Sequence, residues 1–269
     1  MKIHPTAIVS PYANLADDLE VGPNVIIGDK ATIGVGCVIQ ANAVIDGKIT
    51  IGEGNTIGYG AILGAAPQDF GHSPDIDSEV IIGNNNRIRE YVTIHRGTKS
   101  GTATKVGDRC FLMVGCHLAH NVEVANDVII TNNVLLAGYV QVGDAAVLGG
   151  GSVFHQFIRV GTRVMVAGGS RFNKDIPPYC TADFYNLLHG LNMVGLRRAG
   201  ISAVTRLELR NAFKLIFRSN LTVQESLEQA RQSEWGKEAQ ELFDFVRTSK
   251  RGCCRTRSTR VNSEAEMEL

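Results

Sequence analysis

Residues 21–39 read VGPNVIIGDKATIGVGCVI, and an aliphatic side chain occupies every sixth position of this stretch. The four positions are Val21, Ile27, Ile33 and Ile39. The spacing extends back to Ile3 and forward to Leu63, and it returns after each of two interruptions. The later positions are Ile82, Ile88, Ile94, Val106, Leu112, Leu118, Val124, Ile130, Leu136, Val142, Leu148, Phe154, Val160 and Val166. A period of six matches neither an amphipathic helix nor an alternating strand.

This period predicts a prism of stacked coils. Each hexad supplies one short strand and one turn, and three hexads close one triangular coil. The aliphatic side chain points into the prism, and the glycine that often follows it lets the backbone bend. Successive coils stack as parallel strands about 4.8 Å apart. The period does not itself fix the handedness, because general rules for crossover connections favour right-handed winding.

The two interruptions, near 65–80 and 96–105, are predicted to be loops extruded from the prism. Both segments are rich in residues typical of turns and loops, such as Gly, Ser, Thr and Asp. Long loops on a rigid scaffold often carry functional residues. A tolerated insertion without function is the alternative for each loop.

The periodic pattern gives way to a C-terminal region that is predicted to be helical. The segment 176–179, IPPY, marks the exit from the repeat. Apolar residues at helical spacing begin near Ile201, a capping box starts at Thr222, and a further helical run covers about 237–246. Such a region would cover the open edge of the last coil. The predicted bounds are 1–180 for the β-helix, 181–250 for the helical domain and 251–269 for a disordered tail.

Composition excludes several classes of protein. The 27 basic and 27 acidic residues balance, which gives no support to a nucleic-acid or anionic-membrane partner. No apolar run approaches the roughly 20 residues of a membrane span, and the repeat begins at Ile3, which leaves no room for a signal peptide. The six cysteines show no zinc or disulfide spacing. We therefore expect a cytoplasmic protein with no membrane span and no nucleic-acid partner.

Coil arithmetic also predicts which side chains stack on one another. One column contains His120, Gly138 and Gln156, and the next contains Asn121, Tyr139 and Phe157. A histidine near the amide of a glycine on the next coil is a candidate general base beside a candidate oxyanion donor. Ordinary surface histidines are the alternative. A zinc site of the γ-type carbonic anhydrases needs a histidine pair with four residues between, whereas His117 and His120 have two, so no metal site is predicted.

Six segments resemble the UDP-N-acetylglucosamine O-acyltransferase family of lipid A synthesis. They are 86–98 (NRIREYVTIHRGT), 117–120 (HLAH), 149–157 (GGGSVFHQF), 177–179 (PPY), 190–192 (GLN) and 211–218 (NAFKLIFR). The resemblance extends over about residues 3–250 and includes the helical region. The related N-acyltransferases of the same pathway carry a uridine-binding domain ahead of their repeats, whereas the repeats of this chain begin at Ile3.

The resemblance implies an all-β, left-handed parallel β-helix of hexapeptide repeats with a C-terminal α-helical domain, assembled as a homotrimer. It implies transfer of a 3-hydroxyacyl chain from acyl carrier protein to the 3-hydroxyl of UDP-N-acetylglucosamine, the first step of lipid A biosynthesis. The partners are then acyl carrier protein and UDP-N-acetylglucosamine or a related nucleotide sugar. The carrier's phosphopantetheine thioester supplies the activation, so no separate cofactor is expected.

The same resemblance assigns roles to single residues. His120 matches the general base, and Gly138 matches the backbone donor to the oxyanion. Residues that match the substrate-binding positions are Asp69, His117, Tyr139, His155, Gln156, Asn192 and Arg198. Gly168 matches the position that limits the length of the acyl chain, and glycine there resembles members that accept longer chains.

Five positions depart from the family pattern. The family has an acidic residue, a lysine, a histidine, a glutamate and a second arginine where this chain has Asn121, Gly71, Tyr139, Val194 and Ala199. A neutral amide at 121 can orient the histidine ring but cannot stabilise its cation by charge. Two alternatives therefore stay open. One is a related carrier-dependent acyltransferase with a different, possibly amino, nucleotide-sugar acceptor, and the other is a catalytically weak binding homologue.

Overall fold

Stacked three-strand coils form most of the structure, a computed structural model that describes residues 1–256. The strands of the first half are β1 (Lys2–Ile3), β2 (Ile8–Val9), β3 (Asn14–Leu15), β4 (Glu20–Val21), β5 (Ile26–Ile27), β6 (Ala31–Ile33), β7 (Val38–Ile39), β8 (Val44–Ile45), β9 (Lys48–Ile51), β10 (Thr56–Ile57), β11 (Ile62–Ala65), β12 (Glu79–Ile82), β13 (Arg87–Ile88) and β14 (Thr93–His95). Those that follow are β15 (Ala103–Val106), β16 (Phe111–Leu112), β17 (His117–Leu118), β18 (Glu123–Val124), β19 (Ile129–Ile130), β20 (Leu135–Leu136), β21 (Gln141–Val142), β22 (Val147–Leu148), β23 (Val153–Phe154), β24 (Arg159–Val160), β25 (Met165–Val166), β26 (Arg171–Phe172), β27 (Cys180–Asp183), β28 (Leu187–Leu191) and β29 (Arg255–Thr256).

Each strand of the prism pairs in parallel with the strand three places along the chain, which produces three flat faces. The first face contains β1, β4 and every third strand to β25, followed by β27, β28 and β29. The second face runs from β2 to β26, and the third runs from β3 to β24. We call the turns from the first to the second face the first corner, those from the second to the third face the second corner, and those from the third to the first face the third corner.

The predicted inward positions form the core. Every periodic residue from Val21 to Val166 is buried, whereas Ile3 on the open first coil is 41% exposed. The structure adds a second inward position that the period did not predict, two residues before the first, as at Val25 and Val134. Both positions point inward because side chains alternate along a strand, so residues i and i−2 share a side.

Both predicted loops exist, with narrower bounds. They cover residues 66–78 and 96–102, because the strands that follow begin at Glu79 and Ala103. The predicted loops were too long because they included Val80 and Thr104, which belong to the following strands. Both side chains are fully buried at inward positions. Both loops leave the prism at the second corner, and the Gly101 N–H donates to the Asp77 carbonyl at 2.8 Å, which joins one loop to the other.

Four helices follow the prism within the described residues: α1 (Met193–Arg198), α2 (Ala203–Phe217), α3 (Val223–Ala230) and α4 (Lys237–Arg247). The capping box at Thr222 is confirmed, because its side chain and that of Glu225 bond each other's backbone N–H groups. The predicted domain boundary at residue 180 is wrong, since β27 continues the first face by pairing with β25, and β28 then pairs with β27. None of the helices within the described residues is both long and apolar enough to cross a membrane.

The last described segment corrects the prediction of a disordered tail over 251–269. Residues 251–256 are ordered: Cys253 pairs with Asp175, Cys254 is buried, and β29 pairs with β28. Backbone pairing and the burial of one thiol hold this segment, and neither produces a sequence period. Residues 257–269 lie outside the described part of the chain.

The helical region covers the end of the third face, as the sequence predicted. The guanidinium of Arg159, on the last strand of that face, bonds Asp175 at 3.1 Å and the carbonyl of Phe245 at 2.9 Å. It also lies 4.3 Å from the centre of the Phe245 ring. These contacts join α4 to the final coil, which would otherwise present an open strand edge.

Two adjacent isoleucines test the inward register. Ile27 is 2% exposed and Ile26 is 43% exposed on the same strand. We expect Ile27→Ala to lower the free energy of unfolding by about 2–5 kcal/mol. The matched variant Ile26→Ala should cost less than about 1 kcal/mol. Denaturant unfolding followed by circular dichroism measures both, and equal losses would contradict the register.

Candidate active site

His120 lies in the turn after β17, at the second corner, and it stacks on Gly138 as the three-hexad column predicted. A Cβ atom built on Gly138 would lie 2.3 Å from Cε1 of the His120 ring. No side chain fits at that distance, so glycine at 138 is a steric requirement of the histidine's position. The N–H of Gly138 has no hydrogen-bond acceptor among residues 1–256, although the residue is buried.

The next column holds the ring of His120 from one side. Nδ1 of His120 lies 3.1 Å from Oδ1 of Asn121, whose side chain is buried. The Tyr139 ring meets the His120 ring edge-on at 5.3 Å and stacks on Phe157 at 4.8 Å. Asn121, Tyr139 and Phe157 all have left-handed backbones, with φ of 60°, 62° and 68°. The repeated turn therefore directs three successive side chains to the same side of the corner.

Two further histidines lie beside this corner. Burial lowers the pKa of His117 to about 4, and the neighbouring His95 contributes to the shift. Nδ1 of His117 lies 2.7 Å from Oγ1 of Thr93, and its ring is 5.1 Å from the ring of His95. Burial also lowers the pKa of His95, whose Nδ1 donates to the carbonyl of Ala66 at 2.6 Å. Both rings are thus neutral and hydrogen-bonded near pH 7.

His95 was missed in the sequence because its coil is longer than three hexads. The loop 96–102 lengthens this coil to four hexads, so that Thr93 pairs with His117 and Ile94 with Leu118. Counting the interrupted coil as four hexads would have placed His95 near His117. Within residues 1–256, no group of three or more histidine, cysteine or acidic side chains converges as metal ligands would.

Comparison with known proteins places the chain in a family. A family model described as UDP N-acetylglucosamine O-acyltransferase, domain 2, matches residues 175–254, and one for bacterial transferase hexapeptide repeats matches 103–138. The acyl-[acyl-carrier-protein]–UDP-N-acetylglucosamine O-acyltransferase of Burkholderia orbicola is 41% identical over 261 residues, which cover 94% of this chain and 99% of the relative. The chain belongs to the UDP-N-acetylglucosamine O-acyltransferase family.

Solved structures of this acyltransferase family share the fold. The crystal structure of the UDP-N-acetylglucosamine acyltransferase from Bacteroides fragilis has a TM-score of 0.90 and 39% identity, with 94% of this chain and 100% of that chain covered. The structure from Acinetobacter baumannii has a TM-score of 0.89 and 39% identity over 94% of this chain and 99% of that one. With the hexapeptide-repeat match, these neighbours confirm that the prism is a left-handed β-helix.

Several positions that match the acyltransferase family meet at the second corner. Asp69 lies exposed in the loop 66–78 that leaves the prism there, and its carboxylate accepts the Gly71 N–H at 2.7 Å. His155 and Gln156 lie exposed on the coil above Gly138, with Nδ1 of His155 3.2 Å from the Gln156 carbonyl. The corner therefore combines His120 with exposed polar groups from other coils.

The remaining family positions lie at the other two corners. Gly168 follows β25 at the first corner, where a Cβ atom would be 3.0 Å from the carbonyl of Gly150. Asn192 lies by the third corner and caps α1: its amide donates to the Arg163 carbonyl at 3.0 Å and accepts from Gly195. Arg198 is exposed at the end of that helix. A single chain thus does not bring these three residues to His120.

The contact between His120 and Gly138 can be tested directly. We expect Gly138→Ala to displace the His120 ring and to break its bond to Asn121, because the added methyl would overlap the imidazole. Histidine ring NMR signals measure the displacement. The matched control is Gly150→Ala, at the equivalent turn position, where the nearest atom to the new Cβ is 3.3 Å away. A folded Gly138→Ala protein with an unmoved His120 signal would contradict the stacking.

Proposed function

We propose that this protein transfers a 3-hydroxyacyl chain from acyl carrier protein to the 3-hydroxyl of UDP-N-acetylglucosamine, the first step of lipid A biosynthesis. The observation that carries the proposal is the similarity to an acyl-[acyl-carrier-protein]–UDP-N-acetylglucosamine O-acyltransferase, which is 41% identical to this chain over 94% of its length. The position of His120 beside Gly138, whose N–H has no acceptor among residues 1–256, supports it, because acyl transfer requires a base and an oxyanion donor.

The proposed reaction proceeds by direct attack on the thioester. Nε2 of His120 removes the proton of the acceptor hydroxyl as its oxygen bonds the thioester carbonyl carbon. The N–H of Gly138 donates to the resulting oxyanion. Collapse of this intermediate breaks the carbon–sulfur bond, and the phosphopantetheine thiolate leaves with the proton held by His120. The thioester supplies the activation, so we propose no further cofactor and no metal.

The substrates would lie against the second corner. Asp69, His155 and Gln156 lie at this corner, and His117 lies on the strand that leads into it; we propose that these side chains bond the sugar and that Tyr139 supplies an aromatic side wall. Asn192 and Arg198 match the nucleotide-contacting segment, and the cation of Arg198 suits a diphosphate. Free thiols at all six cysteines support a cytoplasmic location.

The distribution of these residues over three corners supports a homotrimer. Rotational symmetry repeats one interface and places a different corner of each neighbour against the second corner. A cleft between two prisms then contains His120 of one subunit together with residues such as Gly168 and Arg198 of another. Each trimer would have three such sites.

Asn121 favours a second candidate function, transfer to an amino-sugar nucleotide. Its side chain is a neutral amide, which gives the imidazolium no opposite charge. An amine is a better nucleophile than a hydroxyl and demands less of its base. Assays with UDP-N-acetylglucosamine and with its 3-amino analogue, each with 3-hydroxyacyl carrier protein, separate the two candidates by their product.

Removal of the base tests the assignment of His120. We expect His120→Ala to lower turnover by about a hundredfold or more without unfolding the prism. The control is His4→Ala, because His4 is an exposed histidine on the first coil. Product formation from labelled nucleotide sugar measures both variants. Normal turnover in His120→Ala would exclude the proposed base.

The acyl-chain limit and the assembly are tested together. We expect a preference for chains longer than about ten carbons, each buried methylene contributing about 0.8 kcal/mol. Gly168→Met should shift the preference to shorter chains by filling the space beside residue 168. Competition between carriers of different acyl length measures the shift, and light scattering should show a trimer. A fully active monomer, or an unchanged length profile in the variant, would contradict the shared cleft.

A further inference from the structure

The side-chain oxygen of Asn121 is the meeting point of three hydrogen-bond donors. It lies 3.1 Å from Nδ1 of His120, 3.1 Å from the backbone N of Thr98 and 3.1 Å from Oγ1 of Thr98. The Asn121 side chain is only 7% exposed, so water does not compete freely for this oxygen. Thr98 belongs to the loop 96–102, which the six-residue period does not include.

The contact with Thr98 determines which way the amide faces. A backbone N–H donates and never accepts, so the group of Asn121 that faces Thr98 is its oxygen. The same oxygen faces His120, which requires a hydrogen on Nδ1. A neutral imidazole carries one hydrogen, and Nε2 is therefore left with its lone pair free. Thr98 thus sets the protonation pattern of a ring that it does not touch.

Tyr139 adds one more hydrogen bond to this network. Its hydroxyl lies 3.0 Å from Oγ1 of Thr98, and because that Oγ1 gives its hydrogen to Asn121, it accepts from Tyr139. The stack on Phe157 fixes the tyrosine ring. The hydrogen bonds then run in one direction, from Tyr139 through Thr98 to Asn121, where they meet the bond from His120.

We propose that Thr98 and Tyr139 are positioning residues that act on His120 through Asn121 and hold it in the Nδ1–H tautomer. The inference deepens the proposed function, since a base at Nε2 needs this tautomer. None of the side chains in this series of hydrogen bonds carries a formal charge when the His120 ring is neutral. The series orients the ring without an opposite charge, in the position where the family resemblance predicts an acidic residue.

The tautomer of His120 tests the inference without any substrate. In long-range 1H–15N spectra of histidine-labelled protein at alkaline pH, we expect wild-type His120 to carry its hydrogen on Nδ1. Thr98→Val and Tyr139→Phe should introduce the Nε2–H form and lower kcat by about three- to tenfold each, the scale of one lost hydrogen bond, with KM little changed. Asn121→Asp should keep the Nδ1–H form.

A matched control separates positioning from loop stability. Thr102 lies in the same loop, and its hydroxyl donates to the Lys99 carbonyl at 2.6 Å without touching Asn121. Thr102→Val should leave both the tautomer and kcat as in wild type. Asn121→Asp should raise activity toward a hydroxyl acceptor and move the acid limb of the pH profile to higher pH, because a carboxylate favours the protonated ring.

Two results would overturn the inference. One is a wild-type His120 in the Nε2–H form. The other is a tautomer that Thr98→Val leaves unchanged while Thr98→Val and Thr102→Val lower kcat equally, which would assign Thr98 to the loop alone. Failure of the proposed function is a separate result: the wild-type protein would show no acyl transfer to either acceptor, whatever the tautomer.

Discussion

The structure depends on one constraint, the strict repeat of inward side chains along a parallel stack. Two inward positions per hexad fill the prism, so a strand cannot slip by one residue without turning apolar side chains to solvent. A turn residue is therefore fixed above the residue one coil earlier. His120 meets Gly138 for this reason, and a larger side chain at 138 would overlap the imidazole. Core packing and the geometry of the candidate site thus have the same origin.

Much of this arrangement follows from the sequence, because a six-residue period converts spacing into position. The prism, both loops and the His120–Gly138 column were predicted in this way, and helical spacing with a capping box predicted three of the four helices within residues 1–256. The prediction failed where the period is interrupted or absent. His95 lies in a coil that a loop lengthens by one hexad, and the order of residues 251–256 rests on backbone pairing. The role of Thr98 depends on a side-chain contact across a loop, which no spacing rule describes.

The surroundings of His120 separate two tasks that a carboxylate usually combines. An acidic partner both orients an imidazole and stabilises its positive form. Asn121 performs only the first task, with help from Thr98 and Tyr139. Orientation depends on the direction of donors and acceptors, whereas stabilisation depends on charge. In this chain a neutral partner lies within hydrogen-bond distance of the ring.

The two ends of the prism differ in how well they are covered, so we expect them to differ in local stability. Arg159, Asp175 and α4 cover the last coil, while within residues 1–256 the first coil keeps Ile3 exposed and has a neighbouring coil on one side only. In a stacked array each unit is stabilised mainly by its neighbours. A coil with one neighbour opens most readily, so we expect local unfolding to begin at the N-terminal coil. Opening should become rarer toward the covered end. The corner with His120 lies far from the end that frays. Local opening would therefore rarely disturb the orientation of the His120 ring.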